Sequence, residues 1–262
     1  MIDAFTDRPF RGNPAAVCLV ESLLTGDQML SIAREFNLSE TAFITRLGHR
    51  GAFSIRYFSP KMEIPLCGHA TLAAARAVHA LDGLDEVHFT TVQGLDLAAR
   101  VYADRISMVL PDYDLEPATA PPALLAALGI EALRNAAYNK ETKILLLEIA
   151  SAPELAGLRP DFVALQRAHA SINGVLVTAP SGADGYDFHS RYFWPWSGTN
   201  EDPVTGGTHT FLTRYWAVRL GKTRMRSFQS SSRSGFMDVE LKDGHVVITS
   251  QAVIVLEGRM DV

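Results

Sequence analysis

Two stretches of this chain, "RYFSPKMEIPLCGHAT" at 56–71 and "RYFWPWSGTNEDPVTGGTHT" at 191–210, open on the same Arg-Tyr-Phe-x-Pro and close on glycine and histidine ahead of an apolar run. The match extends beyond five residues. A helix is predicted over 26–36, where Thr25 and Gln28 form a capping-box start and Met29, Ile32, Ala33 and Phe36 recur at helical spacing. "LSETAFIT" follows as a strand. In the second half "DFVALQRAHA" reads as a helix with Phe162 and Leu165 on one face, and "INGVLVTAP" as the strand after it. Helix, turn, strand and Arg-Tyr-Phe-x-Pro therefore come twice in one order.

The repetition continues downstream. Residues 69–81, "HATLAAARAVHAL", are apolar nearly all round, which suits a helix inside a core. Residues 208–220, "THTFLTRYWAVRL", behave alike and stop at Gly221-Lys222. Each run is followed by alternating strands around a turn, Ala103-Asp104-Arg105 in one half and Lys242-Asp243-Gly244 in the other. The pattern predicts an α+β fold of two pseudo-symmetric halves, each a mostly antiparallel sheet or barrel wrapped around a buried central helix. The Pro/Asp-rich segment 111–122 marks the boundary, with the halves at 1–114 and 115–262 and the C-terminal strand crossing back to the first.

Composition narrows the function. A net charge of -5, with no Lys/Arg stripe, argues against nucleic acid or an anionic membrane as partner. No apolar run is long enough to span a bilayer, and the charged, proline-broken N-terminus does not read as a signal peptide. The two cysteines, Cys18 and Cys67, form neither a CxxC nor a Cys/His ligand spacing, so no metal site is expected. They fit a reduced, cytoplasmic setting, with Cys18 as a small buried hydrophobe.

A cleft between the two halves is the expected small-molecule site. Both core helices start at glycine turns whose N–H groups suit an anion such as a substrate carboxylate, although tight turns alone would also use glycine. The candidate contacts are Cys67 and Gly68 in the first turn and Thr205, Gly206, Gly207 and Thr208 in the second. Neither turn is a nucleotide-binding loop. Glu40 heads an apolar strand where the other half has Gly174, and desolvation there would raise its pKa toward the range useful for proton transfer; a surface glutamate at a strand end is the other reading. Asp202 precedes the second turn, and His69 follows Gly68, placed to meet a substrate or to be a satisfied helix-start residue. His209, one residue further into its helix, is a weaker candidate. Cys67 sits where a thiolate is favoured, but Thr205 stands at the matching turn, which excludes a two-thiol mechanism.

These pieces, with "DAFTDRPFRGNPAAV" at 3–17, "NLSETAFI" at 37–44, "GTNEDPVTGGTH" at 198–209 and "LEG" at 256–258, resemble the PhzF-like (phenazine biosynthesis) family of isomerases in the right order through nearly the whole chain. The resemblance implies a diaminopimelate-epimerase-like fold, a homodimer and catalysis without cofactor or metal. It implies a double-bond shift in a small carboxylic acid, as in a dihydro-hydroxyanthranilate. It casts Glu40 as general acid/base, with His69 and Asp202 in support. The alternatives are an inactive small-acid binding or interaction protein on the same fold, and an amino- or hydroxy-acid epimerase, which the single turn cysteine disfavours. Two departures stand out. Gly207 replaces a serine that the family's type member carries, and the motif starts at Asp3 after only Met1-Ile2, which predicts a short first strand.

Overall fold

A computed structural model describes residues 1–21, 23–197 and 199–262; Gly198, which opens the quoted "GTNEDPVTGGTH", lies outside them. The chain divides into two compact units, Met1–Val109 with Val247–Val262, and Leu110–Val246. The division falls before Leu110 where the sequence suggested 114, and the C-terminal residues group with the first unit.

The first unit runs β1 (Ile2–Ala4), β2 (Asn13–Leu19), α1 (Gly26–Phe36), β3 (Glu40–Arg46), β4 (Ala52–Phe58), β5 (Glu63–Ile64), α2 (Gly68–Asp82), β6 (Glu86–Thr91), β7 (Asp96–Tyr102) and β8 (Arg105–Pro111). The Thr25/Gln28 capping box starts α1, and left-handed Asn37 ends it. β2 joins β3 and β4 joins β6 in parallel, while the other neighbours are antiparallel. α2 packs on β1, β2, β3 and β7, and its residues from His69 to Ala75 are buried, as the all-round apolar run requires.

The second unit continues with β9 (Glu116–Pro117), α3 (Pro122–Leu128), β10 (Asn135–Asn139), β11 (Ile144–Glu148), α4 (Ala152–Gly157), α5 (Phe162–Ala168), β12 (Gly174–Pro180), β13 (Phe188–Trp194), β14 (Thr199–Asp202), α6 (His209–Leu220), β15 (Arg224–Gln229) and β16 (Gly235–Lys242); β17 (His245–Ile254) follows and from Val247 onward belongs to the first unit. The second unit's pairing repeats the first: β11 with β12 and β13 with β15 are parallel, and the rest antiparallel. The register repeats too. Ala42 faces Tyr57 as Leu176 faces Tyr192. Two short helices, α4 and α5, stand between β11 and β12 where the first unit has α1 between β2 and β3, and α3 precedes β10; α3 and α4 carry no long periodic pattern, and the sequence reading did not include them. Leu124, Leu128, Leu155 and Leu165 join β11 and β12 in that unit's core.

The repeated Arg-Tyr-Phe has a physical cause. Arg56 grips Glu63 with two hydrogen bonds of 2.8 Å, and Arg191 grips Glu201 at 2.7 and 2.9 Å, so each arginine ties its strand to the next. Each guanidinium also lies over the phenylalanine two residues on, 5.2 Å from the Phe58 centroid and 4.9 Å from that of Phe193. Both tyrosines are buried.

Candidate functional site

β2, β3 and α2 bring four polar side chains together inside the first unit. Gly12 turns the chain into β2 with a φ of +65°, and an added Cβ would stand 2.0 Å from the Ala4 carbonyl oxygen, so only glycine fits. The next residue, Asn13, is fully buried and donates from Nδ2 to Nδ1 of His69 at 3.3 Å. That assigns the imidazole proton to Nε2, which lies 3.3 Å from Oε2 of Glu40. Ser39 stands 3.5 Å from both Asn13 Oδ1 and His69 Nε2. Glu40 and His69 are 7% and 6% exposed, which removes the surface reading of Glu40. Burial pushes His69 below its ordinary pKa against the pull of the Glu40 carboxylate, so the ring is a neutral donor.

Cys67 is the N-cap of α2, and its side chain makes no cap hydrogen bond. Its sulfur lies 3.4 Å from His69 Nδ1. Cys67, His69 and Glu40 each offer a donor atom, all within 4.8 Å of one another. Sequence spacing argued against a metal site, yet β3 supplies the third group, and a carboxylate, imidazole and thiol together could hold a soft divalent ion. Cys18, expected inside, is only half-buried; burial pushes its thiol up to about 11, so it is an inert thiol.

The second unit holds Asp202, Thr205, Gly206, Gly207 and Thr208. Asp202 ends β14, is buried, and takes the Thr205 hydroxyl on its carboxylate. Gln229 bridges the same two residues, accepting from the Thr205 amide at 2.9 Å and donating to the Asp202 carbonyl at 2.7 Å. The amides of His209, Thr210 and Phe211 donate back to Gly206, Gly207 and Thr208, so an anion at this turn would be served by amides earlier in it. His209 proves structural. Its Nδ1–H bonds the Thr205 carbonyl at 3.1 Å, its Nε2 accepts from Ser227 at 2.8 Å, and burial pushes its pKa down to about 4. Its counterpart is Thr71, whose hydroxyl bonds the Cys67 carbonyl at the same four-residue spacing, so Gly207 rather than His209 matches His69.

Asn13, Ser39 and Gln229 were missed as site residues. Asn13 and Ser39 lie within the quoted motifs, but a single amide or hydroxyl in a loop sequence carries no sign of what it will face.

The phenazine biosynthesis-like family model matches residues 2–258. An uncharacterised isomerase of Pseudomonas aeruginosa is 42% identical, covering 99% of this chain and 96% of that protein. The crystal structure of a phenazine biosynthesis PhzF-family protein of Enterococcus faecalis superposes with a TM-score of 0.89 at 37% identity, covering 96% of this chain and 94% of that one. A probable proline racemase of Agrobacterium radiobacter shares the fold alone, at a TM-score of 0.62 and 13% identity over 99% of this chain and 92% of that one.

Proposed function

Because this chain belongs to the phenazine biosynthesis-like family, with relatives named as isomerases, we propose that it is a cofactor-independent isomerase that shifts a double bond in a small carboxylic acid. Glu40 takes a proton from an activated carbon, the electron pair moves into the conjugated system, and a distal carbon is protonated by Glu40, once its proton has exchanged with solvent, or by a partner acid. The formula is unchanged, and no oxidant or carrier is consumed. The observation that supports this reading best is the buried Glu40 carboxylate held 3.3 Å from a neutral, Asn13-oriented His69. Such a base is fixed in one geometry and shielded from water, and positioned acid/base catalysis contributes roughly a hundred- to ten-thousand-fold.

In this reading the turn before α2 binds substrate through Cys67 and the amide near Gly68, with His69 orienting a polar group, and Asp202, Thr205, Gly206, Gly207 and Thr208 are proposed as the binding and orienting residues of the second unit's turn. A homodimer in the cytoplasm is part of the same proposal, and sedimentation of the purified protein tests the dimer.

The experiment is proton NMR of the protein in deuterated water with a panel of small carboxylic acids, a dihydro-hydroxyanthranilate among them. Deuterium should enter a carbon position with the native protein and not with a folded Glu40→Gln variant. Full exchange by that variant sinks the assignment. Tight binding without exchange moves the reading to a binding protein, and inversion at a stereocentre moves it to an epimerase.

A further inference from the structure

A second cluster of reactive groups lies in the second unit and shares no residue with the Glu40–His69 pair. His189, on β13, is buried, with its ring centroid 5.1 Å from that of Phe228 and edge-on to Tyr186 at 5.9 Å. Its Nδ1 lies 3.0 Å from the Ser230 hydroxyl, and its Nε2 lies 2.7 Å from Oδ2 of Asp184. The other carboxylate oxygen of Asp184 is held by the Ser181 hydroxyl and, at 3.3 Å, by the Tyr186 amide. Ser230 is half-buried and opens on a cavity of about 570 Å³ whose remaining wall is largely apolar, from Ala152, Pro153, Ala156 and Phe228.

We propose that Ser230, His189 and Asp184 form a nucleophilic triad that accepts acyl groups from small carboxylic esters. The geometry is that of a serine activated by a base which a carboxylate orients. The ring nitrogens exchange roles relative to the serine-protease arrangement, which leaves the proton path intact. Burial holds His189 below its ordinary pKa against the pull of Asp184, so the ring is neutral and able to accept a proton. Asp184 is held below the usual carboxylate range, first by the Ser181 hydrogen bond, and so is ionised.

The step balances with ester and water alone. Ser230 Oγ bonds the acyl carbon while its proton passes to His189 Nδ1. That proton leaves with the alcohol, and a water, deprotonated by His189, releases the acid and restores the hydroxyl. Ser230 and His189 are the catalytic groups. Asp184 acts through His189 and is a positioning residue.

The test uses the full chain with a fluorophosphonate probe, which transfers its phosphonyl group to an activated serine and loses fluoride. Peptide mapping should find the label on Ser230 and not on Ser231, Ser232 or Ser234. His189→Gln should slow labelling on the order of a hundredfold. Asp184→Asn should lower kcat for p-nitrophenyl acetate at unchanged KM. Absence of label from Ser230 in the native protein, or equal labelling of its neighbours, overturns the proposal without any variant having to fold. Undiminished labelling in a folded His189→Gln protein overturns it as well.

Discussion

At the head of α2, a turn of Cys67, Gly68 and His69 meets Glu40 at the start of β3. At the head of α6, the matching turn of Thr205, Gly206 and Gly207 belongs to a unit whose equivalent strand starts on Gly174. The scaffold around the two turns is kept: Arg–Glu forks, buried tyrosines, and the first turn carbonyl bonded by a side chain four residues on. The polar groups are not kept. The two units share what holds each sheet to its helix and differ at the charged positions.

Gly174 shows why the second unit cannot carry an equivalent of Glu40. A Cβ there would stand 2.5 Å from the ring and hydroxyl of Tyr192, a stiff side chain. In the first unit the matching Tyr57 is bonded to Thr71, and the strand start accommodates a carboxylate.

The sharpest test of this division of labour is Glu40→Gln, which should cut proton exchange about a thousandfold while the melting temperature stays within a few degrees. Calorimetry alongside the exchange measurement separates the two. Next comes acid. His209, His69 and His189 all have pKa values lowered on folding, so below the ordinary value near 6.5 the unfolded chain binds protons that the folded chain does not. Stability therefore falls as pH drops from about 6.5, and His209 alone accounts for roughly 3 kcal/mol by its folded value of about 4. Urea unfolding across that window should show the loss, with a shallower slope in His209→Gln.

A smaller effect is expected at the strand start. Gly174→Ala should destabilise by about 1–3 kcal/mol through overpacking against Tyr192, read from the denaturant midpoint. Tolerance of alanine there would break the steric account of the asymmetry. The smallest effect belongs to Gly207→Ser, which restores the hydroxyl of the family's type member. Nothing lies within 4 Å of its added Cβ, so stability should move by less than about 0.5 kcal/mol and any change should appear in KM.

Much of the architecture was legible before the fold was known. α1 matches its predicted limits because the capping box is local, and a left-handed Asn37 ends it in the same way. α2 was readable because an all-round apolar run has nowhere to go but a core. The short helices α3 and α4 were not readable: six or seven residues hold too few turns to show a period, and α3 lacks a side-chain cap. At the site, Glu40, His69, Cys67 and Asp202 were named from their places in motifs. That Glu40 and His69 touch, and that His209 matches Thr71, depended on distances no spacing encodes.

The amino-acid sequence by itself determined the duplication, the two core helices, the turns that start them and the family, because each is written in local periodicity or in adjacent residues. Tertiary structure decided which of these residues share a volume. Strands 13–19 and 40–46 must lie side by side before Asn13 can set the His69 tautomer and His69 can face Glu40. Residues 189, 230 and 184 meet only because β13 and β15 run in parallel and the loop before β13 folds back on it. Hydrogen bonds and desolvation act over a few ångströms, and only the folded chain brings residues so far apart in sequence within that reach.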